Sequence, residues 1–144
     1  MSYNMYIQFK DNKNNGGLKM AFNKKTRKEV YKKYNGHCAY CGKEIEIKDM
    51  QIDHMWSKSD GESYARIFGK VELESIENYM PTCRRCNNYK SRFSLEHWRS
   101  FMLDLNERAL KQITVKVGID FGIIKVEKFD GKFYFEKVNG VTNE

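Results

Sequence analysis

The chain has 144 residues, 40% of them hydrophobic, and a formal net charge of +7. This size suits one compact domain or a small core with an added arm, and we expect a single domain. A run of about 18 apolar residues, as a membrane-spanning helix needs, is missing. The first twenty residues are too polar for a secretory signal. We therefore expect an intracellular, cytoplasmic protein.

The positive charge is concentrated near the N-terminus. Residues 1–36 hold nine Lys and Arg against two acidic residues, whereas residues 37–144 hold seventeen of each sign. A localised basic stretch attracts polyanions, so nucleic acid is the expected partner and a membrane is not. The alternative is that the charge run only keeps the protein in solution.

The N-terminal part of the chain divides into an arm and a helix. Residues 1–20 include the polar run DNKNNGG, which predicts a flexible arm with at most one short strand near residues 6–9. Residues 22–36 predict a basic helix that begins at an Asn23 N-cap and ends at Gly36. Four of its cations should remain in solvent and contact DNA: Lys24, Lys25, Arg27 and Lys28.

The sequence CAYCG, residues 38–42, predicts a tight turn that we call the first knuckle. After it, alternating Ile45 and Ile47 predict a strand, residues 48–49 a turn, and the segment through Ile52 a second strand. We therefore expect a compact hairpin here. The loop SKSDGES follows, and a short helix is expected to begin around Cys86.

The last third of the chain predicts a long helix and a hairpin. Ser94 is the expected N-cap, and apolar residues then recur on one helical face: Leu95, Trp98, Met102, Leu105 and Ala109. Beyond Gln112, β-branched residues dominate. The segment IIKVEKFDGKFYFEKV predicts a β-hairpin that turns at Asp130 and Gly131, a dipeptide favoured in tight turns.

Four cysteines form two C-x-x-C pairs separated by 41 residues: Cys38, Cys41, Cys83 and Cys86. In a reducing cytoplasm this pattern favours zinc over disulfides, because a two-residue spacer lets one tight turn present two thiolates to the same ion. A closed site of four cysteines has no open coordination position, so we expect the zinc to be structural. A redox dithiol and unrelated buried cysteines are the alternatives.

Between the cysteine pairs lies QIDHM, in which a regular strand would send Asp53 and His54 to opposite faces. Asp53 is a hard oxygen ligand suited to Mg²⁺ or Mn²⁺, and Asn87 supplies a neutral oxygen that can share the ion. His54, with an ordinary pKa of about 6.5, can take a proton from water at neutral pH. Taken alone, an Asp-His pair is equally explained by a solvated turn or by a histidine held in the core.

The sequence from about residue 31 to residue 93 resembles the HNH endonucleases, which have a ββα-metal core often stapled by a four-cysteine zinc site. The resemblance rests on the order and spacing of CAYC, IDHMWSKSDG and ENYMPTCRRCNNYKS. It implies an α+β fold with a small, treble-clef-like, zinc-stapled ββα-metal core. An N-terminal basic helix, a following long helix and a C-terminal β-hairpin are expected around this core, and the basic helix and the hairpin resemble features of phage-type members.

We therefore divide the chain into a flexible arm at residues 1–20 and a single HNH nuclease domain at residues 21–144. The core of that domain is expected at about residues 31–93. The C-terminal helix and β-hairpin are expected at about residues 94–138.

The resemblance also implies a role for each residue of the site. His54 would be the general base that activates water, and Asp53 a ligand of the catalytic divalent ion. Asn78 would orient the base. Asn87 falls where many members carry a second His, which makes this chain an H-N-N variant and shifts the preferred ion toward Mg²⁺ or Mn²⁺. Asn88 is the neighbouring alternative for this ligand.

Four cations around the second cysteine pair are expected to clamp DNA phosphates: Arg84, Arg85, Lys90 and Arg92. Some of them would alternatively only solvate a helix surface. The resemblance implies hydrolysis of DNA phosphodiester bonds to 5′-phosphate and 3′-hydroxyl ends, by a phage-encoded monomer or homodimer. The alternatives are a zinc-stabilised nucleic-acid-binding module that does not cut, and a zinc-ribbon adaptor that binds proteins.

Overall fold

The computed structural model describes residues 21–57 and 72–140, which form six helices and one two-stranded sheet. The elements in chain order are α1 (Lys24–Lys32), β1 (Gln51–His54), β2 (Tyr79–Thr82), α2 (Arg84–Lys90), α3 (Leu95–Leu103), α4 (Leu105–Leu110), α5 (Ile113–Asp120) and α6 (Tyr134–Val138). The predicted α+β class is confirmed. The arm and short strand expected within residues 1–20 lie outside the described residues. No helix of the described part is long and apolar enough to cross a membrane.

The sheet and the helix after it form a ββα unit. β1 and β2 are antiparallel, with Asp53 opposite Met80 and His54 opposite Tyr79. All four residues of β2 are buried, and α2 follows β2 after a single residue. The hairpin predicted within residues 45–52 is therefore wrong. β1 pairs with β2 instead, which satisfies backbone groups that would otherwise be buried without partners.

The predicted basic helix is confirmed as α1. The Asn23 side chain accepts a hydrogen bond from the Thr26 N–H at 2.8 Å, which caps the helix start. The chain leaves the helix through Asn35 and Gly36, whose φ angles are 50° and 76°. A Cβ atom at Gly36 would lie 2.7 Å from the Tyr31 hydroxyl, so this turn requires glycine.

The core is largely aromatic. The Tyr40 ring lies edge-on to Trp98 with centroids 4.7 Å apart, and Trp98 stacks on Phe133 at 4.8 Å. All three side chains are almost fully buried. The C-terminal segment also reaches the first knuckle through its backbone, because the Phe135 N–H donates to the Ala39 carbonyl at 2.8 Å. Residues from both ends of the described chain therefore build one core.

The long helix predicted after Ser94 is divided into two helices. Ser94 caps α3 as predicted, and its hydroxyl accepts from the His97 N–H at 3.1 Å. The helix ends at Leu103, however, and Asp104 separates it from α4. The β-branched residues beyond Gln112 form helix α5 rather than a strand.

The C-terminal β-hairpin predicted over residues 123–138 is wrong. The chain only bends here: Gly131 has a φ of 84°, and the Asp130 side chain accepts a hydrogen bond from the backbone N–H two residues further on. The chain then enters helix α6 instead of a strand. At the start of α6 the Glu136 carboxylate accepts from the Phe133 N–H at 2.8 Å, which caps a free helical N–H.

Candidate metal centre and active site

The four cysteines converge on one point. Their sulfur atoms all lie within 4.8 Å of one another, and the Cys41 and Cys83 sulfurs are 4.0 Å apart. Four thiolates arranged tetrahedrally at about 2.3 Å from a zinc ion are separated from each other by about 3.8 Å. A small inward adjustment therefore fits the four sulfurs to one ion. The cluster is compatible with a structural zinc site.

Local backbone geometry presents these sulfurs. In the first knuckle the Cys38 N–H donates to the Lys43 carbonyl at 2.8 Å, which closes the turn that carries Cys38 and Cys41. Cys83 precedes α2 as its N-cap, and its sulfur accepts from the Cys86 N–H at 3.4 Å. Hydrogen bonds from the Cys38 and Cys86 thiols lower the pKa of Cys41.

Asp53 lies in β1 beside a buried cation. Its Oδ2 atom is 2.9 Å from the Lys90 Nζ and accepts a hydrogen bond from the Tyr40 hydroxyl at 2.5 Å. The Lys90 side chain is fully buried and also donates to the His54 carbonyl at 3.1 Å. Oδ1 of Asp53 has no hydrogen-bond partner among the described residues. The carboxylate is thus held through one oxygen, which leaves the other for a divalent ion.

Tyr40 is a site residue that the sequence analysis missed. Its ring belongs to the aromatic core while its hydroxyl reaches Asp53. Burial and the neighbouring Asp53 carboxylate raise the pKa of Tyr40 well above its usual value, so the hydroxyl keeps its proton and donates. Its place between Cys38 and Cys41 was visible in the sequence, but the direction of its side chain depends on the tertiary packing.

His54 ends β1 and is partly exposed, with 25% of its side chain accessible, whereas the adjacent Asp53 is buried. This difference in exposure is compatible with the predicted opposite faces of the two side chains. The His54 Nε2 lies 3.2 Å from Glu74 Oε2, and the same oxygen accepts from the Tyr79 hydroxyl at 2.9 Å. Within the described part of the chain Nδ1 makes no hydrogen bond. Glu74, like Tyr40, carried no recognisable signal in the sequence.

Asn78 fixes the backbone that follows His54. Its side-chain oxygen accepts from the Trp56 N–H at 2.8 Å, and its amide donates to the carbonyls of Trp56 at 3.1 Å and Leu73 at 2.8 Å. Its own carbonyl accepts from the Met55 N–H at 2.9 Å. These bonds hold the two residues after His54 and do not touch the imidazole itself.

The second predicted metal ligand, Asn87, lies on helix α2. Asn87 is half-buried and Asn88 is exposed. Asn87 precedes Lys90 by three residues, so the two share one face of the helix. Because α2 packs against β1 and Lys90 contacts Asp53, this face is directed toward the strand that carries Asp53.

The cations expected to contact DNA occupy two kinds of environment. Two of them are engaged inside the fold. Arg27 donates to the carbonyls of Ile47 and Met50, both at 2.9 Å, and Lys90 is buried as described. The others are exposed: Lys24, Lys25, Lys28, Arg84, Arg85 and Arg92.

Two neighbouring clefts join the exposed cations of α1 and α2. One has a volume of about 660 Å³ and is lined by Lys48, Arg84 and Arg85 together with acidic side chains. The other has a volume of about 520 Å³ and is lined by Lys24, Lys28 and again Lys48. The clefts therefore form a path of mixed but largely basic character across this side of the molecule.

A ββα unit whose first strand carries Asp-His, next to four converging cysteines, defines a small cysteine-stapled ββα-metal domain. Residues 38–93 match the family model for HNH endonuclease. The matched segment contains both cysteine pairs, the sheet and α2. No curated protein and no solved structure matches the chain. The domain indicates a function in nuclease or other nucleic-acid chemistry with a metal site.

Proposed function

We propose that this chain is a metal-dependent DNA endonuclease that hydrolyses phosphodiester bonds. One observation carries the proposal: within the HNH domain, adjacent residues of β1 offer Oδ1 of Asp53 and Nδ1 of His54, neither of which has a partner among the described residues. An oxygen that can hold a cation beside a nitrogen that can accept a proton meets the two main needs of phosphodiester hydrolysis.

In this proposal His54 is the general base. Its Nδ1 takes a proton from the attacking water. The oxygen of that water forms the new bond to phosphorus in line with the P–O3′ bond, which breaks, and the 3′ oxygen leaves and takes a proton from solvent water. The products then carry 5′-phosphate and 3′-hydroxyl ends. Asn78 supports the base indirectly, by holding the backbone just after it.

Asp53 and Asn87 are the proposed ligands of the catalytic ion, and their oxygens favour Mg²⁺ or Mn²⁺. When bound there, such an ion stabilises negative charge that gathers on the phosphate and the leaving oxygen. Lys90 already balances the charge of the Asp53 carboxylate. The protein alone therefore offers the ion little net negative charge, and we expect a DNA phosphate to strengthen its binding.

The zinc ion proposed for the four cysteines supports this site through its neighbours. Tyr40 lies between two of the cysteines, and Lys90 lies on the helix that begins directly after Cys83. Both side chains contact Asp53. By joining the first knuckle to α2, zinc would fix both partners of the proposed metal ligand.

The exposed cations supply the proposed DNA-binding surface. Contacts from Lys and Arg to backbone phosphates position a duplex without reading its sequence. One cleft provides Arg84 and Arg85, and the other, which shares Lys48 with it, provides Lys24 and Lys28. We further propose that residues 21–144 act as one domain, because Phe133 packs against Trp98 and Tyr40 in the common core.

Incubation of supercoiled plasmid with the zinc-loaded protein tests the proposal. Nicked or linear DNA should form with Mg²⁺ or Mn²⁺ and not with chelator. His54→Ala should lower the cleavage rate by at least about 100-fold, the contribution of a general base. His97→Ala is the matched control, since His97 lies outside residues 38–93 and stacks on Phe93. Unchanged cutting by His54→Ala would remove this residue from the mechanism.

A second candidate is a nucleic-acid-binding module that does not cut. The observation in its favour is that Tyr40 and Lys90 already occupy Oδ2 of Asp53. Electrophoretic mobility shifts with the same plasmid fragments distinguish the two functions. DNA binding without cleavage in any divalent ion would support the module, whereas cleavage that depends on His54 would exclude it.

A further inference from the structure

Glu74 is the residue whose side chain hydrogen-bonds the His54 ring in the described part of the chain. The Nε2 to Oε2 distance is 3.2 Å. Neither the family match nor the sequence motifs assign a role to Glu74. Its side chain is about half exposed, at 49%, while that of His54 is 25% exposed. The pair therefore lies at the surface end of β1, where substrate has access.

Tyr79 fixes the same carboxylate and the same imidazole. Tyr79 lies opposite His54 in the sheet, and its ring is edge-on to the imidazole with centroids 5.2 Å apart. Its hydroxyl donates to Glu74 Oε2 at 2.9 Å. The Phe22 ring lies beside both, with its centroid 4.9 Å from that of Tyr79 and 6.4 Å from that of His54. The imidazole thus has one defined orientation, with Nε2 toward Glu74.

A carboxylate only accepts hydrogen bonds, and a neutral imidazole carries one N–H. A hydrogen bond between Glu74 and Nε2 therefore requires the proton on Nε2 and leaves the lone pair on Nδ1. The carboxylate also stabilises the positive charge that appears on the ring after proton uptake, as the aspartate does in serine protease triads. Both effects favour a base that acts through Nδ1.

We infer that Glu74 is a positioning residue for His54, which holds the imidazole in the tautomer with a free Nδ1 while Tyr79 fixes the Glu74 carboxylate. This inference rests on the proposed nuclease function. A positioning role and a structural role of Glu74 predict different results. Side-chain contacts between such partly exposed groups add little to stability, so losing Glu74 should change the tautomer and the cleavage rate much more than the fold.

Nitrogen NMR of the zinc-loaded protein labelled with ¹⁵N-histidine tests the tautomer directly, at about pH 8, where an ordinary histidine is neutral. In the parent, His54 should carry its proton on Nε2. Glu74→Leu, which has no acceptor, should give a mixture of tautomers and lower the cleavage rate about 10-fold to 100-fold. Glu74→Gln keeps an acceptor oxygen and should retain the tautomer and more of the activity.

Glu72→Leu is the matched control, because Glu72 is exposed and makes no hydrogen bond or ion pair with a described residue. Tyr79→Phe is a second variant, which keeps the ring and should change the tautomer and the rate in the same direction as Glu74→Leu. Zinc content and melting temperature verify folding in each case. If Glu74→Leu folds poorly, Glu74→Gln and Tyr79→Phe carry the test.

The outcomes distinguish a failure of the Glu74 inference from a failure of the proposed nuclease function. If His54→Ala stops cleavage but Glu74→Leu leaves the tautomer or the rate unchanged, Glu74 has no positioning role and the nuclease proposal stands. If His54→Ala cuts like the parent, the nuclease mechanism fails and the catalytic role of Glu74 fails with it. A defined Nε2–H tautomer in that case would show that the contact is structural only.

Discussion

The Lys90 Nζ lies 2.9 Å from Asp53 Oδ2, and both side chains are almost wholly buried. The Tyr40 hydroxyl bonds to the same oxygen. These two partners come from the first knuckle and from α2, the segments that the four cysteines join. The orientation of the proposed metal ligand therefore depends on the cysteine site, although no cysteine contacts Asp53 directly among the hydrogen bonds of the described residues.

Lys90→Met should lower the free energy of unfolding by about 3–5 kcal/mol, because it leaves the Asp53 carboxylate buried without its cation. Asp53→Asn combined with Lys90→Met should recover part of this loss, since neither charge then remains. Urea denaturation of the parent, both single variants and the double variant, all with zinc, gives the coupling energy. A loss below about 1 kcal/mol for Lys90→Met would be typical of an exposed pair and would contradict the buried contact.

Tyr40→Phe should destabilise the protein more than Tyr31→Phe. The first change removes a hydrogen bond to a carboxylate, which contributes about 1.5–3 kcal/mol. The second removes a hydrogen bond of 2.9 Å to the neutral Ile45 carbonyl, which contributes about 0.5–1.5 kcal/mol. Both rings keep their packing. Equal losses of unfolding free energy in denaturant titrations would show that the charge of Asp53 does not strengthen the hydrogen bond from Tyr40.

One zinc ion per chain should be found by metal analysis of the purified protein. Cys83→Ser should lose this zinc and unfold at a markedly lower temperature, because zinc bound to four thiolates contributes on the order of 10 kcal/mol to folding. Removal of zinc from the parent by a chelator, followed by its return, is the internal control. A Cys83→Ser variant with the zinc content and melting temperature of the parent would contradict the four-cysteine site.

Arg99→Met should raise the pKa of Glu136. Burial pushes the pKa of this carboxyl up, but hydrogen bonds from the Arg99 guanidinium, one of them 2.6 Å long, hold it below the ordinary value of 4.5. The stabilisation from this ion pair is therefore present above pH 4.5 and is lost as the pH falls through the lower, folded-state pKa. Carbon NMR of the Glu136 carboxyl in excess zinc measures the midpoint.

The control for this titration is Lys137→Met. Lys137 is a neighbouring, half-exposed cation whose ammonium pairs with Asp130 at 2.8 Å instead of Glu136. This change should leave the Glu136 midpoint close to that of the parent. A midpoint that is the same in the parent and in Arg99→Met would mean that the guanidinium does not control the carboxyl.

The cysteine cluster and strand β1 were predictable because their signals are local. A C-x-x-C turn places two sulfurs together by its own geometry, and the alternation of QIDH separates a buried carboxylate from a partly exposed imidazole. The partners of Asp53 were not predictable in the same way. Lys90 has the sequence context of a surface cation, and only the packing of α2 on β1 buries it.

The C-terminal segment shows where a local sequence signal fails to predict the structure. The chain does bend at Asp130 and Gly131, but a strand also needs a partner for its backbone groups. Here the aromatic residues after the bend pack into the core instead of pairing as a strand. Phe133 stacks against Trp98, and the backbone that follows it enters α6. A local turn signal therefore predicted the bend and not the structures on either side of it.

The contact between the first knuckle and α6 has a consequence for synthesis. The Tyr134 N–H donates to the Tyr40 carbonyl at 3.0 Å, and Phe133 packs on the Tyr40 ring. A ribosome makes Tyr40 long before these partners, and a nascent chain cannot complete the packing until they have emerged. The core behind the proposed catalytic centre is therefore completed only when the C-terminal segment has been synthesised.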